Sequence, residues 1–316
     1  SGTEARHRAP GKTFALRAVR RCRLISAALP VPCAQAMKRN RLVSLIKTPI
    51  FVAKEYLHRR PDPKFNWAFG DAALRERARP LAETLQRDGI VLLPAHFQGA
   101  QLQRLRDAFE PAVAGRPNKH DPDSFLNTDF LEADPAFLEA AADDLLLQIV
   151  AGYYGKKFSI GRASAMRLLP SDPGRYGSYQ WHHDARGRQV HLMILLTDMP
   201  ANGQCMTYLR GSHLTYYDHY RGVAEGSRFE EDIARQPELR ERITSIVGPA
   251  GTAALFDANG LHSGNRSRSV TRDTLTYCYV TYRHFKKIRC RKTHLDALPP
   301  AKRDVLTFNP FCEQVD

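Results

Sequence analysis

Trp181-His182-His183-Asp184 sets an imidazole and a carboxylate two residues apart, at His182 and Asp184. In an extended strand, residues i and i+2 point to one face. Two histidines and a carboxylate on one side of an ion make a facial triad with open positions opposite, so this pair lacks only a second histidine. The same H-x-D spacing recurs at His294-Leu295-Asp296, so the tripeptide alone decides nothing. Context separates the copies. No histidine follows His294, and that copy sits among Pro299, Pro300 and basic residues. The first copy precedes a β-rich run and has a later partner, His262, in Gly260-Leu261-His262-Ser263-Gly264-Asn265-Arg266-Ser267.

Ten residues past His262 stands Arg272, at the opening of a long strand, with Thr274 on the same strand face. A guanidinium fork binds a carboxylate with two parallel hydrogen bonds, and a threonine adds a hydroxyl donor. A metal triad with a separate carboxylate anchor suits a dicarboxylate such as 2-oxoglutarate. Among the other polar residues here, His183 is expected to face away from the metal, and His213 to be structural. His191 and Gln180 can line a pocket or pack in the core.

These residues need positioning elements. Arg75 to Gln86 has helical spacing, with Pro80 as a start or kink, and Asp88-Gly89 breaks it before a buried strand at Ile90–Pro94. Residues 100–113 and 136–154 are expected as helices, the second stopped by Gly155, with a functional loop over 116–130. Beyond Gly155 the pattern turns β. Strands are expected over 158–169, 180–184, 189–197, 205–209, 243–247, 252–256 and 274–282. Many short strands between turns indicate a sandwich or barrel. Residues 226–242 read as a charged helical insertion, and 286–292 as a small basic cluster.

The chain has 316 residues, 43% hydrophobic and 25% charged, which is ordinary for a soluble globular protein. No run of about 18 uncharged apolar residues appears. The six cysteines include no C-x-x-C pair, which argues against zinc-knuckle and thioredoxin-type sites and fits reduced thiols in a cytoplasmic protein. Fourteen of the basic residues fall in 1–60 against two acids, so this arm carries +12 of the net +14. The body, 61–316, is nearly neutral and lacks a broad nucleic-acid-binding signature. Residues 1–36 have a transit-peptide-like composition, and Met37 is a plausible start. Residues 40–57 form either an interfacial helix on an anionic membrane or a helix packed on the body.

Several motifs in order resemble the phytanoyl-CoA dioxygenase family of iron(II)/2-oxoglutarate oxygenases. They are Asp88–Pro94, Trp181–Asp184, Val190–Asp198 leading to Asn202-Gly203, Arg210-Gly211-Ser212-His213, and His262-Ser263-Gly264-Asn265-x-Ser267 followed by Arg272. The resemblance spans roughly 77–284 and departs at Arg210, where the family usually has proline. It implies a mainly β protein with flanking helices around a double-stranded β-helix, a jelly-roll or cupin-like core. It implies Fe(II) held by His182, Asp184 and His262, and 2-oxoglutarate anchored by Arg272 with Thr274 as co-anchor. Halogenating relatives carry a small residue in place of the carboxylate, so Asp184 favours hydroxylation. The expected function is hydroxylation of an unactivated C–H of a small molecule with O₂, yielding succinate and CO₂. The substrate would be held by 116–130, 170–180 and 213–242. Rival readings are a membrane-docked hydroxylase of a lipid or envelope glycolipid, peripheral through residues 1–60, and a non-catalytic jelly-roll binding module. Nucleic-acid demodification is disfavoured by the neutral body.

Overall fold

The computed structural model describes residues 60–172, 179–184, 187–214, 236–281 and 285–316. The basic arm up to residue 59, including Met37 and the 40–57 segment, lies outside them, as does most of the 226–242 insertion.

The first helix of the described residues, α1 (Ala72–Asp88), starts where the Asp71 side chain accepts from the Leu74 amide at 2.8 Å, and it carries Pro80 within its span. It stops at Gly89, whose φ of 79° is left-handed and whose amide returns to the Leu85 carbonyl. A side chain is doubly excluded there, because a Cβ would come within 2.3 Å of the His213 ring and 2.4 Å of the Tyr208 hydroxyl. Strand β1 (Ile90–Leu93) follows, then α2 (Gly99–Val113), which buries Leu105, Ala108, Phe109, Ala112 and Val113.

Two local expectations give way here. Residues 116–130 are not a loop but a hairpin of β2 (Pro117–Asn118) and β3 (Asp121–Asn127), followed by a 3-10 turn at Phe130–Glu132. Their polar composition hides a strand because their partner lies far along the chain: β3 pairs with β4 (Ser159–Leu168), from Ser124 opposite Leu168 to Asn127 opposite Ala165. The expected helix over 136–154 is two, α3 (Pro135–Ala141) and α4 (Asp144–Tyr154). Asp143 divides them, since its carboxylate caps the Leu146 amide at 3.0 Å and starts the second helix anew. Gly155 ends α4 in a left-handed conformation, as expected.

The β half contains β5 (Gln189–Leu195), β6 (Met206–Leu209), β7 (Ile243–Ser245), β8 (Ala253–Asp257), β9 (His262–Gly264) and β10 (Arg272–Val280). A short helix, α5 (Pro237–Arg240), precedes β7. The large sheet runs β1-β8-β5-β10-β4-β3-β2, and a small sheet runs β7-β6-β9. All these pairings are antiparallel. The chain closes with β11 (Ile288–Arg291), α6 (Lys292–Asp296), α7 (Pro300–Thr307) and β12 (Cys312–Val315), with β12 parallel to β11.

Strand periodicity assigns the two faces of the large sheet. Val190, Leu192, Ile194, Leu275, Tyr277 and Tyr279 join the core beneath the helices. Met193, Leu195, Ala254 and Phe256 point the other way and pack with Met206 and Tyr208 of the small sheet. Helices therefore cover one face, and the small sheet covers the other. This is the jelly-roll arrangement, and the ligand space lies between its two sheets.

Candidate active site

The small sheet gains one extra bridge at its edge, where His182 pairs with His262. Each residue's amide donates to the other's carbonyl, at 2.9 and 2.8 Å. Directly opposed residues in an antiparallel pair project to the same side, and the two imidazole centroids lie 4.3 Å apart. The expected strand over 180–184 is reduced to this bridge. The Asp184 amide instead donates to Ala258 at 3.0 Å, which turns its carboxylate back toward the rings. Asp184 Oδ1 lies 3.7 Å from His182 Nε2 and 3.8 Å from His262 Nε2.

Both histidines are locked in one tautomer. His182 Nδ1 donates to the Gln180 carbonyl at 2.7 Å, and His262 Nδ1 to the Gly260 carbonyl at 2.9 Å. Each Nε2 is thereby left as a lone-pair donor, the state a metal requires. The three ligand atoms lie within 4.8 Å of one another. Two imidazoles and one carboxylate suit Fe(II). Burial opposes ionisation of Asp184, but His262, His191, Arg162 and His182 surround it and hold its carboxyl down at about 2. It is an anion at any physiological pH.

The triad opens into a cavity of about 940 Å³. Its floor is a set of cross-strand rows on the inner face of the large sheet. One row runs Arg162, Cys278, His191, Phe256 across β4, β10, β5 and β8, under the triad. The next rows along β10 begin at Thr276 and Thr274, and the last pairs Arg272 with Leu168. Burial depresses His191 to about 3, so this ring is neutral and accepts from Arg162 Nη2 at 3.5 Å.

Arg272 closes the far end and is itself buried. Its Nη1 donates to the Gln204 carbonyl, and its Nε has no partner. Among the described residues no carboxylate lies within ion-pair distance of it. Burial lowers it to about 10, which still leaves a full positive charge at neutral pH. A buried, unpaired guanidinium is costly, and a carboxylate entering from the cavity would supply the missing charge. The residues present thus fit both an iron ion and a dicarboxylate.

The remaining sequence candidates fall as follows. Thr274 is fully buried, with its hydroxyl 3.4 Å from the Met166 carbonyl, and the threonine of β10 that lines the cavity is Thr276. His191 lines the cavity, while Gln180 contributes its carbonyl to His182. His183 is buried and turns Nδ1 to the Asp184 carbonyl; His213 Nε2 meets the Gln86 carbonyl that precedes the Gly89 cap. His294 and Asp296 lie on α6, where Asp296 is tied to Lys292 and Arg303, and among the described residues the second H-x-D joins no metal-ligand cluster. The 116–130 stretch lines the cavity through Asn118, His120, Asp121, Leu126, Thr128 and Asp129, and Tyr179 represents 170–180 there. Sequence reasoning missed Arg162, Met206 and Lys286, all cavity residues. Only the pocket-facing parity of β4 distinguishes Arg162.

The profile of the phytanoyl-CoA dioxygenase family matches residues 85–272, a range that contains the triad and ends at Arg272. The chain is 28% identical over 272 residues to ectoine dioxygenase of Stutzerimonas stutzeri strain A1501, covering 75% of this chain and 81% of that relative. Among solved structures it resembles EctD from S. alaskensis with 2-oxoglutarate and 5-hydroxyectoine. The TM-score is 0.54 at 21% identity, with 82% of this chain and 92% of that one covered. The iron-bound form of EctD gives a TM-score of 0.54 at 22% identity over 72% of this chain and 82% of that chain. At this identity the likeness concerns the fold.

Proposed function

The chain belongs to the phytanoyl-CoA dioxygenase family and is a 2-oxoglutarate-dependent non-haem iron dioxygenase; on that premise we propose that it hydroxylates an unactivated C–H bond of a small molecule. His182, Asp184 and His262 are the iron ligands in this reading, and Arg272 binds the distal carboxylate of 2-oxoglutarate. The observation that carries it is the pairing, in one cavity, of a three-ligand cluster with a buried guanidinium that has no described counter-ion.

Iron and 2-oxoglutarate, when bound, supply the activation of O₂, with succinate and CO₂ as co-products. The chain's own residues do the rest. The Gln180 and Gly260 carbonyls aim the two Nε2 atoms at one point. Arg272 fixes the direction of the dicarboxylate. We assign the accompanying hydroxyl to Thr276, because it lines the cavity while Thr274 faces Met166. Met193, Met206 and Phe256 give the wall beside the triad an apolar surface that keeps bulk water off the reacting centre. The substrate occupies the side formed by β2 and β3.

The test is turnover of 2-oxoglutarate to succinate with added Fe(II). The wild-type protein is expected to show it, and His182→Ala to abolish it. Arg272→Met is expected to raise KM for 2-oxoglutarate by roughly 30- to 1000-fold, the scale of losing a buried charged hydrogen-bond partner. Full activity in His182→Ala would refute the ligand assignment.

A further inference from the structure

The two oxygens of Asp184 have different surroundings. Oδ1 faces His182 and His262 Nε2, at 3.7 and 3.8 Å. Oδ2 accepts from Arg162 Nη2 at 3.0 Å and lies 3.9 Å from His191 Nε2. Arg162 belongs to β4, an interior strand of the large sheet, and its register opposite Cys278 places it beneath the triad. Its side chain is half exposed to the cavity, and among the described residues Asp184 is the carboxylate it pairs with. Asp184 follows a one-residue bridge, so it has no strand of its own to fix its side chain. Its backbone is tied to Ala258 and its side chain to Arg162.

We propose that Arg162 is a positioning residue that makes Asp184 a one-oxygen ligand. This rests on the iron and 2-oxoglutarate reading above and deepens it. A facial triad of three donor atoms leaves three positions on a six-coordinate ion. A carboxylate binding through both oxygens would take one of those positions, and a chelating 2-oxoglutarate together with O₂ needs all three. With Oδ2 held by a charge-assisted hydrogen bond from the sheet, only Oδ1 faces the ion. The signal is absent from the motif because Arg162 lies 22 residues before Asp184 and meets it only through the fold.

The experiment compares wild type, Arg162→Met and Arg162→Lys without O₂, loaded with saturating Fe(II) and titrated with 2-oxoglutarate. The readout is the visible charge-transfer absorption of the iron–2-oxoglutarate chelate. Arg162→Met is expected to bind iron but to form the chelate about 10- to 100-fold more weakly, the usual cost of losing a residue that orients a metal ligand. Arg162→Lys keeps a donor for Oδ2 and is expected to recover part of the absorption. If Arg162→Met fails to fold, Arg162→Gln takes its place. Chelate formation in the Met or Gln variant equal to wild type overturns the proposal. A wild-type protein that forms no chelate instead refutes the iron and 2-oxoglutarate reading itself.

Discussion

His182 and His262 are each held in the tautomer that a metal ligand needs. Each spends its Nδ1 proton on a backbone carbonyl two residues upstream, and each turns Nε2 toward Asp184. Arg272 differs, since its guanidinium is buried with Nε unmet. These residues were legible in the sequence because side-chain chemistry and order sufficed to single them out. Arg162 was not, because an arginine in a strand is ordinary until the register places it under a carboxylate. The threonines show the same limit. Parity puts Thr274 and Thr276 on one face, but only packing turns the Thr274 hydroxyl to Met166 and leaves Thr276 on the cavity. Thr276→Val is therefore expected to raise KM for 2-oxoglutarate by roughly 5-fold, about 1 kcal/mol for a lost hydrogen bond. Thr274→Val is expected to leave it near wild type, and steady-state kinetics with limiting 2-oxoglutarate would expose the reverse order.

Among the elements, the turn between β8 and β9 carries the most constraint. Asp257 Oδ1 accepts from the Gln189 and Asn259 amides, and the Asp257 carbonyl accepts from the Tyr208 hydroxyl. Gly260 lies against that hydroxyl, where a Cβ would come within 2.0 Å. Its carbonyl is the one that orients His262. Gly260→Ala is expected to displace this carbonyl and weaken Fe(II) binding by about 10-fold or more. Adding Tyr208→Leu removes both crowding atoms, the hydroxyl oxygen and the ring Cζ that would lie 2.5 Å from the new Cβ, so the double variant should regain part of that affinity by calorimetry. Additive losses in the two variants would contradict this coupling. The pattern of apolar residues announced the long strands, since β5 and β10 alternate between helix-facing and cavity-facing side chains. The hairpin of β2 and β3 was hidden because its polar residues satisfy each other. Asn118 Nδ2 donates to Ser124 Oγ, which donates to the Asp121 carbonyl. The three-residue β9 is too short for any periodicity.

At the scale of the molecule, a large sheet backed by helices supplies a rigid floor, and a small sheet with one added bridge supplies the two histidines. The cavity between them brings residues from β3, β4, β5, β9 and β10 onto one ligand space. The fold class was legible from the succession of short strands, and the motifs fixed their family. The partition of charge is a property of the sequence too: the body carries +2 and the arm +12. Among the described residues, no helix is long and apolar enough to cross a membrane. The central claim is that one ligand bridges the triad and Arg272. It is tested most directly by the electron density of crystals grown without O₂ and soaked with Fe(II) and 2-oxoglutarate. The predicted result is an ion on His182 Nε2, His262 Nε2 and Asp184 Oδ1, with continuous density from it to the Arg272 guanidinium. An ion held by other residues, or a dicarboxylate that leaves Arg272 unpaired, would contradict the account.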